Sequence, residues 1–546
     1  MKKETKSFCL LALLFTLLMS LPFLAPGAGW VALIGFVPLL CLEYIAGKQG
    51  KKHIWWWHFL CFLLWNAATT WWVANATVGG AIFAIVANAF QMSLVFGLFR
   101  WSRRRFKGAA LPYLLLAAAW IAWEKYYLTV AEISWPWLVL GNSFATTTGL
   151  VQWYEVTGHL GGSLWIWASN LAVFGLLVSL VDGKFKLLNP KARIASIAGT
   201  VIAVFGPMIW SVCIPEKPAD GSEIKVVMVQ PNLDPYEKHQ ALSRVEQDDR
   251  FMAELQKAEE FIADGEPCMI IAPETFTDRF ILEDFDSNIT FNRFQDWLKD
   301  HPYCNILFGA SAYNRIYSVR RPNILAYDMG ETYIDGNRKH MWYLSHNSAI
   351  ITDTTRRCDV FHKGKLVPAT ELTPYPKLFV PIENLFGGNL MGKCADQGSP
   401  AKALQFRSGD MEFKFGVPIC YESVYGEYCT GYVRDGAEII TVITNDAWWG
   451  DTPGYRQHFS FSRLRAIETR RTIVRCANTG ISAIIDPMGK VLQTGPCWES
   501  AVITGRAALS SRTTFFVRYG DIVGRLSVFA FILLLAAAVF RPGKKR

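Results

Sequence analysis

Residues 416–423 read Gly-Val-Pro-Ile-Cys-Tyr-Glu-Ser. The first four are mostly apolar and predict the end of a buried strand, after which Cys420 stands next to polar Tyr421 and Glu422. A thiol at the tip of a strand, beside a carboxylate, is where a nucleophile is displayed. A buried cysteine is also a common apolar filler, so the stretch takes its meaning from two others. Residues 270–276, Ile-Ile-Ala-Pro-Glu-Thr-Phe, put Glu274 just beyond an apolar strand. Residues 361–368, Phe-His-Lys-Gly-Lys-Leu-Val-Pro, put Lys363 shortly before another apolar run. A carboxylate, an ammonium and a thiol together suffice for acyl transfer. The thiolate attacks a carbonyl, the carboxylate takes the thiol proton, and the ammonium stabilises the oxyanion. Taken singly, Glu274 reads equally well as a cap and Lys363 as a solvated surface charge. No histidine with a partner Asn or Asp follows a papain-like order convincingly, although His458 is available.

The surroundings of these stretches, about 222–508, alternate strand-like and helix-like segments. A strand opens the region at 224–230, and a helical stretch covers roughly 240–263. The strand 268–272 leads to Glu274, and a helix near 290–299 precedes the strand 305–310. Further on, 414–419 delivers Cys420, and a helix spans about 426–435. The strand 438–444 runs into Asn445-Asp446-Ala447-Trp448-Trp449-Gly450. A charged helix over 458–471 is followed by strands at 473–477 and 480–486. This order predicts a layered α/β domain, whose active groups gather at strand ends.

Of 546 residues, 51% are hydrophobic and only 18% charged, against about 25% charged in soluble domains. The deficit lies in apolar blocks near the two ends. These run over about 8–24, 29–46, 54–73, 79–99, 109–128, 160–181, 193–213 and 523–540, each close to the ~20 residues that span a bilayer. A cleaved signal peptide is the other reading of the first block, but no clear small-x-small cleavage site follows it. The expected organisation is a membrane domain over 1–215 with about seven transmembrane helices, a catalytic domain over 222–508, and a C-terminal span with a basic tail over 522–546. Basic loops (Lys48/Lys51/Lys52, Arg100/Arg103/Arg104/Arg105/Lys107, Lys184/Lys186/Lys191/Arg193 and the tail) alternate with loops lacking Lys and Arg. The positive-inside rule then puts both termini in the cytoplasm and the catalytic domain on the far side. Tryptophans 55–57, 71 and 72 fit interfacial belts. Glu43, Asn66 and Asn88, polar inside apolar blocks, are expected to face the bundle interior. The net charge of +9 clusters between spans, which reads as topology and not as a nucleic-acid surface. The twelve cysteines include no C-x-x-C pair and no metal-type spacing with histidine, which argues against a zinc site.

Glu274, Lys363 and Cys420, in this order and these contexts, resemble the nitrilase, or carbon–nitrogen hydrolase, superfamily. Joined to many N-terminal spans and one C-terminal span, the chain resembles the apolipoprotein N-acyltransferase family over nearly its whole length. The likeness is strongest at 272–276, 363–368, 418–422, 444–450 and 463–480. It implies a multi-span α-helical membrane bundle plus an α/β nitrilase-type α-β-β-α sandwich on the periplasmic side of the inner membrane. It implies Glu274 as base, Lys363 as oxyanion stabiliser and Cys420 as nucleophile, with Glu371 supporting Lys363 and with Tyr421 and Glu422 beside the thiol. The implied donor is a membrane phospholipid, whose acyl chain passes through a Cys420 thioester. The implied acceptor is a diacylated apolipoprotein, at its N-terminal diacylglyceryl-cysteine. No cofactor, metal or nucleic acid is implied, and a monomer is expected. Trp448 and Trp449 would line an acyl groove, or else pack as core. The chain departs from the family in having Ala369-Thr370 before Glu371, His239 where an aromatic is expected, and a longer segment over 311–345. A membrane-anchored amidase acting on a small amide and a lipid carrier without activity are the competing readings.

Overall fold

The computed structural model describes residues 3–106, 110–215, 221–234, 243–385 and 391–540; Lys107, His239 and the basic tail 541–546 lie outside them. The chain divides into two compact units, one of Met1–Glu216, Asp451–Glu468 and Tyr519–Arg546, the other of Lys217–Gly450 and Thr469–Arg518.

The first unit is helical. Every apolar block of the sequence contains a helix: Lys3–Leu24, Val37–Lys48, Trp55–Thr70, Val78–Arg105, Ala110–Thr129, His159–Val181, Pro190–Cys213 and Ile522–Phe540. Among the described residues, 6 helices are long and apolar enough to cross a membrane. The two that fall short were both expected as spans. Trp55–Thr70 is only 16 residues long before it tightens into a 3₁₀ turn, Trp71–Asn75. Ala110–Thr129 carries Glu124 and Lys125. The polar residues inside the blocks face inward and find partners, as the cost of an unpaired polar group in hydrocarbon demands. Glu43 is buried against His58 (3.1 Å), Arg100 (3.0 Å) and Arg103 (3.2 Å). Asn88 accepts from the Tyr127 hydroxyl (2.6 Å), and the Asn66 amide donates to Phe62 O (2.9 Å). Trp56 and Trp71 are exposed, whereas Trp72 departs from the belt expectation and is fully buried. Residues 129–159 form a chain of 3₁₀ turns, at Pro136–Leu138, Leu140–Phe144 and Thr148–Leu150.

A helix from far along the sequence, Pro453–Thr469, contributes its residues up to Glu468 to this unit. Gln457 accepts from Trp137 Nε1 (2.7 Å) and donates to Phe23 O and Thr69 O (both 3.2 Å). Glu468 accepts from the His159 backbone N–H (2.9 Å) and pairs with Arg465 (2.7 Å). Gly454 lies against the Trp72 ring, where a Cβ would come within 2.6 Å.

The second unit contains two sheets. The first is made of β1 (Glu223–Gln230), β2 (Cys268–Ile271), β3 (Thr277–Ile281), β4 (Cys304–Ser318), β5 (Tyr327–Ile334), β6 (Asn337–Thr352), β7 (Cys358–His362) and β14 (Ala501–Ala508). Its order is β14-β1-β2-β4-β6-β5, with β3 on β4 and β7 on β6. The second holds β8 (Leu404–Ser408), β9 (Met411–Gly416), β10 (Ala437–Thr444), β11 (Ile473–Ala477), β12 (Ala483–Ile485) and β13 (Val491–Thr494), in the order β13-β12-β11-β10-β9-β8. Strand alternation builds the layers. Ile224, Val226 and Met228 of β1 join a core shared with Phe415, Ile439 and Val474 of the second sheet. Val227 and Val229 face the other way, onto Phe251 and Leu255 of the helix Arg244–Ala258 and Phe294 and Leu298 of the helix Ile289–Asp300. The helix Gly426–Arg434 lies on β9, close enough that a Cβ at Gly416 would meet Tyr432 at 2.6 Å. The result is helix, sheet, sheet, helix. The parallel strands β1-β2-β4 and β9-β10-β11 point their C-terminal ends at one region.

Candidate active site

Glu274 sits in the loop that leaves β2, on a tight backbone with Thr275 at φ +46°. The loop lies directly on β4. A Cβ on Gly309 would meet Thr275 N at 2.5 Å and Glu274 Cα at 2.6 Å, so only glycine lets the two backbones approach. The buried carboxylate uses both oxygens. Oε2 accepts from the Asn445 backbone N–H (3.1 Å), just past the end of β10. Oε1 accepts from Lys363 Nζ (3.0 Å) and Asn347 Nδ2 (2.8 Å).

Lys363 follows β7, and its N–H donates to Asn347 O (2.8 Å), which carries the β6–β7 ladder one residue further. The ammonium is buried and donates also to Glu371 Oε1 (2.9 Å), onto which Asn347 Nδ2 donates too (2.7 Å). Two donors, one charged and one neutral, thus bridge the same pair of carboxylate oxygens. Burial works against the charged amine, but the Glu274 and Glu371 carboxylates beside it hold its pKa well above the ordinary lysine value. Glu371 Oε2 accepts from the Val367 N–H (2.8 Å), and the turn before it needs φ +68° at Ala369.

Cys420 comes after a parallel bridge between Ile419 and Ile443 that extends the pairing of β9 with β10. It starts a 3₁₀ turn, Cys420–Val424, with its own backbone at φ +49°. A residue other than glycine held there costs about 1–3 kcal/mol and persists only where the surroundings enforce it. Glu422 supplies the enforcement. Its Oε2 accepts from the Ile419 N–H (2.8 Å), and its Oε1 accepts from the Gly364 and Lys365 N–H groups (2.7 and 3.2 Å). One buried carboxylate thereby ties the cysteine turn to the lysine turn. Burial pushes its pKa up to about 7. The Cys420 thiol is pushed well above the ordinary range, by burial first and then by the Glu274 charge, while the Lys363 charge pulls the other way. The resting sulfur is therefore a thiol with a carboxylate and an ammonium at hand.

Glu274, Lys363, Glu371, Cys420 and Glu422 thus meet in one place. Tyr421 is buried beside the sulfur, its ring edge-on to Tyr425 at 5.2 Å. Trp448 is half-buried on the 3₁₀ turn Asp446–Trp449 that follows β10. The sequence reading passed over Asn347, Gly309 and the fully buried pair of Asp446 with Arg475 (2.7 Å). Asn347 left one faint signal, a polar Ser345-His346-Asn347 run ahead of an apolar strand end.

Comparison with known proteins adds the chain's relatives. The family model described as carbon-nitrogen hydrolase matches residues 326–515, and that of the apolipoprotein N-acyltransferase N-terminal domain matches residues 15–172. Among solved structures, Nit3 of Saccharomyces cerevisiae, a nitrilase-superfamily member, aligns with 54% of this chain and 93% of its own at 15% identity and a TM-score of 0.34. The apolipoprotein N-acyltransferase of Geobacter metallireducens is 26% identical over 97% of this chain and 94% of its own. That of Chlorobaculum tepidum is 30% identical over 93% of this chain and 91% of its own. Identity at that level across nearly the full length of both chains, spans and α/β unit alike, means that the protein belongs to the apolipoprotein N-acyltransferase family.

Proposed function

We propose that the protein transfers an acyl chain from a membrane phospholipid to the α-amino group of the N-terminal diacylglyceryl-cysteine of an apolipoprotein, by two half-reactions through a Cys420 thioester. The observation that carries this reading is the Lys363 ammonium shared between Glu274 and Glu371 beside a buried thiol, in a chain with many membrane-length helices. In the first half-reaction Glu274 takes the thiol proton as sulfur attacks the ester carbonyl. Lys363 stabilises the oxyanion; a donor in this role is worth about 3–4 kcal/mol. The ester C–O bond breaks, the proton passes to the leaving alkoxide, and a lysophospholipid departs. In the second, Glu274 takes a proton from the attacking amine, the C–N bond forms, the C–S bond breaks, and the thiol is restored.

Glu371 keeps Lys363 charged, Glu422 holds the cysteine turn, and Tyr421 and Trp448 shape the acyl pocket. Transfer has to outrun hydrolysis, so the thioester must be shielded from water. Both substrates live in the bilayer, and spans before and after the α/β unit tether it to the membrane. The loop charges support a multi-pass inner-membrane protein, active as a monomer, with the α/β unit periplasmic and both termini cytoplasmic.

The test is to incubate the purified protein with phospholipid labelled in the acyl chain. A hydroxylamine-sensitive label on the wild type, absent from Cys420→Ala and chased onto a diacylated lipopeptide, is the expected result. No acyl-enzyme, with turnover of small amides instead, would favour a membrane-anchored amidase and overturn the proposal.

A further inference from the structure

Strand β6 alternates across the first sheet. Ala349 and Ile351 join the core between the sheets, and Ile350 joins the core on the outer side. Asn347 accordingly faces inward, toward Glu274, while His346 and Ser348 share the outer face. On β7, Phe361 faces the inter-sheet core and His362 the outer side, with Ser348 and His362 in register. Sheet pairing so brings together two histidines that no local spacing announces. Their rings stack with centroids 4.4 Å apart at 28°. Asp396 joins them from a loop anchored on β6 by the Ala395 N–H donating to Ser345 O (2.9 Å), and its carboxylate hydrogen-bonds His346 Nδ1. One donor atom from each of His346, His362 and Asp396 lies within 4.8 Å of the other two. His346 is only 5% exposed, and its Nε2 is buried without a hydrogen-bond partner. Ser348 Oγ bonds His362 Nδ1 at 2.7 Å, the kind of outer partner that orients a ligating imidazole.

We propose that His346, His362 and Asp396 form a binding site for one divalent transition-metal ion of the zinc type. Two imidazoles and a carboxylate are donors that zinc accepts, with a water completing the tetrahedron. Ligands at 2.0–2.1 Å from one ion stand at most about 4.2 Å apart, so the three donor atoms draw together from within 4.8 Å and the stacked rings turn toward the ion as it binds. The ion sits on the outer face behind Asn347 and Lys363 and pins the strand ends that carry them. The site does not depend on the reaction proposed above.

The test uses the full chain in detergent, with an affinity tag free of histidine, stripped by chelator and equilibrated with Zn²⁺ or, separately, Mg²⁺. The expected result is one Zn²⁺ per chain retained after desalting, no Mg²⁺, a raised melting temperature, and visible absorption bands when Co²⁺ replaces zinc. His362→Ala and Asp396→Asn should each weaken zinc binding at least about tenfold, while their metal-free melting transitions show that they fold. No stoichiometric zinc on the wild type would overturn the site. So would zinc that survives both substitutions undiminished, because the ion would then be held elsewhere.

Discussion

Asn347 is neutral, and that matters because its amide donates to the same Glu274 and Glu371 oxygens that Lys363 bridges. In Asn347→Asp a third carboxylate would face two others across one ammonium. The loss of a donor and the added repulsion should cost about 3 kcal/mol, a fall of roughly 100-fold in the single-turnover rate of acyl-enzyme formation. Asn347→Ala should lose closer to tenfold. A fall of less than threefold for the aspartate would remove Asn347 from the site. The thiol gives a sharper contrast. Since the Glu274 charge helps hold the Cys420 pKa up, Glu274→Gln should speed alkylation of Cys420 by iodoacetamide at pH 7 while abolishing acyl transfer. Slower alkylation would show that the Glu274 charge does not hold the thiol pKa up.

Glu422 carries a pH signature. Its pKa, about 7, lies above that of a carboxyl in the unfolded chain. Between roughly pH 4.5 and 7 the folded state therefore binds more protons than the unfolded state, and this group makes stability fall as pH rises. Melting temperatures across that window should show the slope in the wild type and lose it in Glu422→Gln. Cys420, Glu274 and Lys363 could be read from sequence because each adjoins an apolar run. Glu371 and Glu422 drew their roles from family likeness alone, and Asn347 sits inside a long strand where nothing punctuates the chain.

At the scale of elements, the strands that aim the site were legible because their apolar runs are short and bounded. The helices Ile289–Asp300 and Gly426–Arg434 lie within a residue or so of the boundaries read from sequence. The helix after β10 begins at Pro453, ahead of the His458 expected, because proline is well suited to a first turn. The longer segment over 311–345 resolves into the extended ends of β4 and β6 with β5 alongside. Its Asp335-Gly336 turn has φ +50° and +75°, as a tight two-residue hairpin requires. What sequence could not give is close approach between strands. Gly309→Ala should destabilise the protein by about 1–3 kcal/mol and cut acyl transfer further, since its Cβ would press on the backbone of Glu274 itself. A melting temperature and turnover both unchanged would show that the Glu274 loop moves aside freely.

For the molecule as a whole, the charge alternation of its loops makes a topological prediction. Alkaline phosphatase fused after Pro215 should be active and a cytoplasmic reporter at the same point silent; the reverse would turn the orientation over. Length separates Trp55–Thr70 from the 6 helices long and apolar enough to cross a membrane, and a lower mean hydropathy, to which Glu124 and Lys125 contribute, separates Ala110–Thr129.

Residues Asp451–Glu468 interrupt the α/β sequence yet belong with the helical unit. The portion 222–508 is therefore no detachable cassette. Expressed alone, it would carry a stretch whose Gln457 and Glu468 have lost the backbone and side-chain partners they hold among the other helices. Anyone grafting a relative's α/β portion into this chain should leave the host's own 451–468 in place. Such a hybrid should accumulate at normal levels in cells, whereas one that imports the foreign stretch should be degraded.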